Sequence, residues 1–375
     1  MVFTLAIRNL LHDRIRFAVT LVGIVFSIVL VAVQLGLYMG SERIITAMID
    51  HTKADLWVVA FGSKSFDNAT LLEGREKYQV LSTPGVEDVV EMTVGYAKWT
   101  KPDGGKTVVV VVGSDSSDQV LDPWNVVQGE VGRLTLPENV AIDKSYFDHL
   151  GVAQLGEQAQ INGTRAKITT VTDGIRSFTT LPYVFTSKRQ ARIYMRANPD
   201  QSTFVLIRLS KNANIEQIKQ DIGSKLEDAE ILTTAEFRDR SLAHWLFATG
   251  AGAALIGGAI LGIIVGMVIV AQTLYSSAKD HLREFATLRA LGSSSVYIHK
   301  VIIWQAVLSA IIGFIIAIVI DLIIVYLSVG TPLPIVMTAE LAIGLLGLTI
   351  VMCVVSAVSA IVKVTRIDPS VVFAQ

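Results

Sequence analysis

Residues 17–41 read FAVTLVGIVFSIVLVAVQLGLYMGS and contain no Asp, Glu, Lys or Arg. The hydrocarbon core of a bilayer is crossed by a helix of roughly 20 apolar residues, so this stretch is long enough to span it. Three further stretches, at 245–274, 301–329 and 341–362, are similarly apolar and contain a single charged residue, Asp321. The sequence therefore predicts a membrane protein with four transmembrane helices.

The segment between the first and second spans has a different composition. The whole chain is 17% charged, whereas ordinary globular domains carry about 25% charged residues. The deficit lies in the four spans, while residues 42–244 have the composition of a soluble domain in which strand and helix patterns alternate. We predict an α+β extracytoplasmic domain inserted between the first and second helices, with a second subdomain inserted into it at about 113–192.

Local patterns inside this domain predict individual elements. Strand patterns occur at 55–61, 89–98, 107–112 and 203–209. Residues 71–81 have a helical pattern that stops at Pro84. Helical patterns at 41–51 and 233–245 predict two stalks, one continuing the first span outward and one leading into the second.

The positive charges beside the spans predict the orientation. Lys and Arg are enriched in the short cytoplasmic loops of membrane proteins. Here they flank the cytoplasmic ends of the spans at Arg8, Arg14, Arg16, Lys279, Arg283, Arg289, Lys300, Lys363 and Arg366. The loop 330–340 has neither residue. We expect a multi-pass protein of the inner (plasma) membrane with both termini cytoplasmic, and with residues 1–16, 275–300 and 363–375 on that side.

The first 16 residues contain an amphipathic segment. Phe3, Ala6, Ile7, Leu10 and Leu11 share one face of a helix over residues 2–12. Such a helix beside a span usually lies in the plane of the membrane interface. No small-x-small cleavage site ends the apolar run that follows, so we expect the first span to be retained.

Motifs of soluble enzymes are weak in this chain. Residues 100–107 read TKPDGGKT and resemble a phosphate-binding loop, but Thr100 stands where that loop needs Gly. The β-type run 108–112 also follows where a helix is needed, so we interpret the stretch as a hairpin turn. The six His residues lack metal-ligand spacing, and neither a catalytic grouping nor a basic block is present in the sequence. We expect no catalytic residue, no metal, no nucleic acid partner and no ATP site on this chain.

Two features of the spans leave alternatives open. Ala254, Gly258, Gly262 and Gly266 form a stripe of small residues that favours close helix packing, against either this chain's own helices or a second copy. Asp321 lies in the third span, where a carboxylate suggests a proton or ion relay. Near the outer end of a long span it is more simply a hydrated or hydrogen-bonded group, and we favour that interpretation.

The cytoplasmic loop between the second and third spans has the sharpest pattern. Leu282, Phe285, Leu288 and Leu291 share a helical face, and Gly292 suits the position after the end of a helix. Such a helix either lies on the lipid surface or serves as a handle for a cytoplasmic motor.

At this loop the chain resembles a known family. Residues 283–292, REFATLRALG, are similar to the REIGxLRALG coupling segment of ABC permeases of the MacB/FtsX/LolC type. Residues 5–24 resemble the family's N-terminal LAxRNLxxxRxRxxLTxxGI pattern, and residues 366–372 resemble its C-terminal xxDPxxAL pattern. Within the family, residues 54–59, ADLWVV, look closest to DevC-like permeases.

The resemblance implies a mechanism. The permease would be a homodimer that binds two copies of a separate cytoplasmic ABC ATPase through a coupling helix formed by Leu282, Arg283, Glu284, Phe285, Thr287, Leu288, Arg289, Ala290, Leu291 and Gly292. Arg8, Asn9, Arg14 and Arg16 would lie at the membrane interface. ATP and Mg would be bound by the ATPase, with no cofactor on this chain. ATP-driven motion would pass along the stalks to the external domain, which is mechanotransmission.

The resemblance also implies partners and leaves the role open. DevC-like members work with a periplasmic membrane-fusion adaptor and an outer-membrane channel, and export lipids, glycolipids or other amphiphiles. The alternatives are an FtsX-like regulator of an external cell-wall hydrolase and a LolC-like lipoprotein-releasing permease. The chain differs from the family's larger members in having neither a fused ATPase nor a second four-span repeat in its sequence.

Overall fold

The computed structural model describes residues 2–115, 120–280, 295–329, 331 and 333–365. The helices are α1 Val2–His12, α2 Arg14–Asp50, α3 Glu76–Leu81, α4 Phe147–Leu150, α5 Lys188–Met195, α6 Ile215–Gly223, α7 Thr234–Leu242, α8 Ala251–Asp280, α9 Ser295–Ser328 and α10 Ala339–Thr365. The strands are β1 Leu56–Ala60, β2 Val86–Thr100, β3 Lys106–Gly113, β4 Val126–Gly129, β5 Asn139–Asp143, β6 Gln158–Ile161, β7 Thr164–Thr172, β8 Tyr183–Thr186, β9 Phe204–Leu209 and β10 Ala229–Thr233.

The chain divides into two compact units. The helical unit comprises Met1–Gly40, Ala253–Val329 and Pro334–Gln375, and the sheet unit comprises Ser41–Gly252 and Gly330–Leu333. Among the described residues, four helices are long and apolar enough to cross a membrane: Arg14–Asp50, Ala251–Lys279, His299–Ser328 and Ala339–Val362. The predicted fold class, four transmembrane helices with an α+β domain inserted between the first and second, is confirmed.

The interior of the helical unit is built largely from small and branched apolar side chains. One buried cluster joins Ile24 and Ile28 of α2 to Val270 of α8, Ala310 of α9 and Ala357 of α10. Small side chains at helix contacts allow close approach of the backbones, which is the usual basis of helix packing in membranes.

A ten-stranded sheet organises the sheet unit. The strand order is β10-β1-β9-β2-β3-β8-β5-β7-β4, and β6 pairs with β2 and β7. β2 is 15 residues long and pairs with β9 through its first half and with β3 through its second half. Val110 and Val112 of β3 face one buried cluster and Val109 and Val111 face another, so this valine run is buried on both faces of the sheet.

The predicted hairpin at residues 89–112 is confirmed. β2 and β3 are antiparallel, with Thr100 opposite Lys106. The turn is closed by the Lys101 N–H donating to the Gly105 carbonyl at 2.8 Å, and Gly104 has φ +89°. The run after the TKPDGGKT stretch is thus a strand, which does not fit a phosphate-binding loop.

The prediction of a helix over 71–81 is wrong in its first half. Helix α3 begins at Glu76. Upstream, the Leu72 N–H donates to the Ser202 carbonyl at 2.7 Å in an isolated bridge, and Gly74 has φ +96°. Pairing with a distant segment and a left-handed glycine therefore prevent an earlier start.

The predicted stalk leading into the second span is also interrupted. The Thr233 hydroxyl and the Glu236 carboxylate form a capping box that starts α7. A turn of π-helix, Ala243–Ala248, follows, and Gly250 with φ +80° separates it from α8. A residue at that φ cannot continue a right-handed helix. The first stalk, in contrast, is part of α2, a single helix of 37 residues that runs to Asp50.

Candidate functional site

The predicted coupling helix lies outside the described residues. Its members Leu282, Arg283, Glu284, Phe285, Thr287, Leu288, Arg289, Ala290, Leu291 and Gly292 all fall within 281–294, between the described ends of α8 and α9. Its role as the ATPase handle therefore stays a prediction.

Helix α1 packs against the span helix α9 on one of its sides. Ala6 is fully buried, and the rings of Phe3 and Trp304 meet edge to face with centroids 5.6 Å apart. Of the predicted interface residues, Arg8 and Arg14 are exposed, whereas Asn9 and Arg16 are partly buried. One face of α1 is thus covered by protein, and its place in the plane of the membrane interface stays a prediction.

The glycine stripe of α8 lies against helix α2 of the same chain. A Cβ atom at Gly258 would meet Gln34 Nε2 at 2.7 Å, one at Gly262 would meet Val31 Cγ2 at 3.0 Å, and one at Gly266 would meet Ser27 Oγ. The Ser27 hydroxyl donates to the Gly262 carbonyl at 2.6 Å. Ala254 is exposed. The choice between the chain's own helix and a second copy is resolved for the three glycines, which contact α2.

Asp321 is buried in α9 rather than hydrated. It is 2% exposed, and neither carboxylate oxygen has a hydrogen-bond partner among the described residues. The favoured interpretation of a hydrated or hydrogen-bonded group is therefore not what the structure shows. A carboxylate in a membrane span is costly and often functional, but its role is not defined by these contacts.

The last turns of α2 are part of the core of the sheet unit. Ile44, Ile45, Met48 and Ile49 are buried, and the last two are 1% and 0% exposed. Met48 and Ile49 belong to the cluster built around Trp57, Phe204 and Phe237. A helix end whose side chains fill a core cannot move independently of it, because interiors are close-packed.

Helix α7 lies beside this end of α2. The Arg238 guanidinium pairs with the Glu42 and Asp50 carboxylates, each at 3.3 Å. Phe237 is fully buried and its ring centroid lies 4.9 Å from that of Trp57. Both helices are predicted from the sequence, but these contacts are not, because no spacing in the sequence relates residues so far apart along the chain.

The start of α7 is also tied to neighbouring elements. The Trp57 indole N–H donates to Thr234 Oγ1 at 3.1 Å. The Lys219 ammonium donates to both Glu236 oxygens at 2.5 and 2.6 Å, and these hydrogen bonds lower the pKa of that carboxyl. Helices α2, α7 and α6 are thereby connected through one set of contacts around β1.

The loop after β1 contains a buried carboxyl group, that of Asp67. The Tyr183 hydroxyl donates to Asp67 Oδ1 at 2.6 Å. Burial raises the pKa of the Asp67 carboxyl from 3.8 to about 6, against the opposite effect of that hydrogen bond. The adjacent Phe66 is 3% exposed and stacks on Phe204 with centroids 5.5 Å apart. The loop is therefore anchored in the same core as the end of α2.

Three solved structures resemble part of the chain. The periplasmic region of MacB from Actinobacillus actinomycetemcomitans has 10% identity, with 52% of this chain and 96% of that chain covered and a TM-score of 0.37. The extracellular domain of the noncanonic ABC-type transporter YknZ from Gram-positive bacteria has 12% identity, 48% and 98% coverage and a TM-score of 0.34. A domain of a permease protein from Porphyromonas gingivalis has 13% identity, 48% and 89% coverage and a TM-score of 0.33. None of the curated proteins compared with the chain matches it.

Two family models together cover most of the chain. The MacB-like periplasmic core domain matches residues 17–225, and the FtsX-like permease C-terminal domain matches residues 256–369. The first match contains most of α2 and most of the sheet unit, and the second contains most of the three later spans. The order of these matches is the order of the elements in the fold: a first span, an inserted domain and three further spans. The chain belongs to the ABC-transporter permeases of the MacB/FtsX type, and it is a multi-pass membrane protein.

Proposed function

We propose that this chain is the non-catalytic permease subunit of an ABC exporter that works by mechanotransmission. The observation that carries the proposal is helix α2. It is one uninterrupted helix from Arg14 to Asp50, with its first part in the helical unit and its last turns in the core of the sheet unit. At about 1.5 Å per residue it is long enough to extend well beyond a bilayer.

The ATP-driven motion would reach the external domain through α2 alone and not through both stalks. Gly250 separates α8 from α7, so a displacement of the second span is not carried by a continuous helix. Helix α7 would instead respond through Arg238 and Phe237, which contact the end of α2 and its core cluster. This differs from the expectation that the first and second spans act in the same way.

The proposed complex has further parts outside this chain. Permeases of the MacB/FtsX family work with ABC ATPases, and we assign the ATPase contact to residues 282–292. ATP and Mg would be bound by that ATPase. A second copy of this chain would complete the membrane part, in the inner membrane with both termini cytoplasmic.

The exported cargo is assigned by class. The proposed partners on the outer side are a membrane-fusion adaptor and an outer-membrane channel, and the cargo is a lipid, a glycolipid or another amphiphile. The spans carry few polar side chains (Gln34, Gln272, Gln305 and Asp321 among them), which suits a permease that moves a domain rather than one that lines a wide polar pore.

Affinity purification of the tagged protein in mild detergent, followed by mass spectrometry, tests the proposal. An ABC ATPase together with a periplasmic adaptor supports the exporter. Recovery of an ATPase with a cell-wall hydrolase would contradict the exporter role and favour an FtsX-like regulator. Recovery of an ATPase with lipoproteins would contradict it in favour of a LolC-like permease. Recovery without any ATPase would refute the assignment of residues 282–292.

A further inference from the structure

The loop between β7 and β8, residues 173–182, is anchored to the sheet unit by buried contacts. The Ile175 N–H donates to Asp143 Oδ2 at 2.8 Å, and Ile175 is 1% exposed in the core cluster of that unit. The Ser177 N–H donates to the Tyr146 hydroxyl at 3.2 Å, and Ser177 is fully buried. The fold therefore sets the position of this loop and of the side chains on its outer side.

Two side chains of the loop contact segments that lead directly into membrane spans. The Arg176 guanidinium donates from Nη1 to the Thr331 carbonyl at 2.7 Å. The ring centroids of Phe178 and Trp245 are 5.6 Å apart. All four residues belong to the sheet unit. The loop thus touches both of the short segments by which this unit continues into the later spans.

The chain itself keeps these contacts close to the bilayer. Thr331 follows the end of α9 by three residues, Trp245 precedes the start of α8 by six, and both helices are apolar enough to cross a membrane. Since one residue adds at most about 3.5 Å to an extended chain, Thr331 lies within about 10 Å and Trp245 within about 20 Å of the end of a span. A loop that contacts both lies at or near the level of the lipid headgroups.

The aromatic side chains around this contact suit a membrane interface. Phe247 is 56% exposed, and Phe178 and Trp245 are each partly exposed. Aromatic side chains are enriched where the hydrocarbon core meets water, because a ring with an apolar body and a polar edge is stable at that level. In water, the same three rings would leave apolar surface exposed to solvent.

The charges beside these rings have a positive excess. The acidic residue of the loop, Asp173, pairs with Lys144 Nζ at 2.6 Å. Arg176 contributes a further positive charge. Burial lowers the pKa of His244, and the charge of the exposed Lys64 acts in the same direction, so Lys64 lies near that imidazole. Basic side chains next to aromatic ones are typical of surfaces that bind lipid headgroups.

We propose that loop 173–182 rests on the outer leaflet of the membrane and forms, with Trp245 and Phe247, a lipid-contacting surface of the sheet unit. The aromatic rings lie among the headgroups, and Arg176 and Lys64 face the lipid phosphate groups. Phospholipid is the occupant, because the span ends hold this surface at a level where lipid is already present. The inference rests on the transmembrane helices and does not depend on the proposed exporter function.

The depth of a spin label in the bilayer tests this proposal. The single cysteine is buried and is first replaced, by Cys353→Ala. A nitroxide label is then attached to the full-length protein at Thr180→Cys, an exposed position of the loop. The protein is placed in nanodiscs of phosphatidylethanolamine and phosphatidylglycerol. Collisions of the label with oxygen, which partitions into the bilayer, are compared with collisions with a nickel chelate, which stays in water.

The matched control is a label at Asn212→Cys, exposed in the turn after β9. β9 ends beside Asp55, whose carboxylate accepts a hydrogen bond from the Leu209 N–H at 2.7 Å. Asp55 follows the outer end of α2, which lies roughly 50 Å along that helix from Arg14. The control position is therefore expected to lie in water.

The label at position 180 should show a ratio of oxygen to nickel collisions several-fold higher than the label at position 212. Equal ratios would overturn the proposal, since the loop would then lie in water. Few collisions with either reagent at position 180 would overturn it as well, because protein and not lipid would then cover the surface.

A second measurement needs no cysteine. Nanodiscs that contain brominated phosphatidylcholine quench tryptophans in contact with lipid, and Trp304→Phe removes the partly exposed tryptophan of the span α9. In that background Trp245 should account for most of the quenching, because Trp57 and Trp99 are fully buried in the sheet unit. Quenching that is unchanged by Trp245→Phe would overturn the proposed surface.

Discussion

Replacing Ile49 by Ala should weaken the sheet unit, because this side chain of the transmembrane helix α2 is part of its core. Ile49 is 0% exposed and belongs to the cluster of Trp57, Phe204 and Phe237. Truncation of a buried Ile to Ala removes apolar contact and leaves a cavity, at a cost of about 2–5 kcal/mol. For a domain of this size the expected decrease in Tm is on the order of 10 °C.

The assay is thermal unfolding of the purified full-length protein, followed by the fluorescence of its tryptophans, with Arg43→Ala as the matched control. Arg43 is on the same helix and exposed, so its substitution should change stability by no more than about 0.5 kcal/mol. If Ile49→Ala and Arg43→Ala shift Tm equally little, the end of α2 is not anchored in the core and the reasoning fails.

Three further predictions follow from particular contacts. Gly266→Ala places a Cβ against Ser27 and should destabilise the helical unit by about 1–3 kcal/mol, whereas Gly257→Ala, with open space around it, should not; equal unfolding temperatures would contradict the α2–α8 packing. Because burial raises the pKa of Asp67 from 3.8 to about 6, its contribution to stability is present below pH 3.8 and lost as pH rises through 6, about 3 kcal/mol in all. In the variant Asp67→Asn, Tm should therefore depend less on pH between 3.8 and 6 than in the parent protein. An unchanged pH dependence of Tm would contradict the raised pKa of Asp67. Glu284→Lys, or Arg289→Glu with Leu288→Asp, should abolish ATPase-coupled function in a well-expressed protein, and normal function would exclude residues 282–292 as the handle.

The spans and the hairpin could be predicted because they depend on local composition. Apolar stretches without charge specify membrane helices by themselves, and Lys101 to Gly105 contain the residues that a turn requires. The start of α3 could not be predicted, because it depends on the pairing of Leu72 with Ser202, which is far away along the chain.

The contacts between helices were less accessible to sequence analysis. The break at Gly250 is hidden in a stretch that also contains Gly252, Gly257 and Gly258, of which none has a positive φ. The glycine stripe predicted close packing, but spacing on one helix does not identify the neighbour. The same limit applies to Arg238, whose partners Glu42 and Asp50 come from a helix that lies far away along the chain.

The most direct test of transmission through α2 is amide hydrogen exchange on the complex with its ATPase, with and without bound ATP. A proline at the exposed position 43 should break this helix at a cost of about 3 kcal/mol. We predict that ATP changes exchange in Thr234–Leu242 of the parent protein and of Arg43→Ala, and that Arg43→Pro loses this change while keeping the ATPase bound. An ATP-dependent change that persists unaltered in Arg43→Pro would contradict the account.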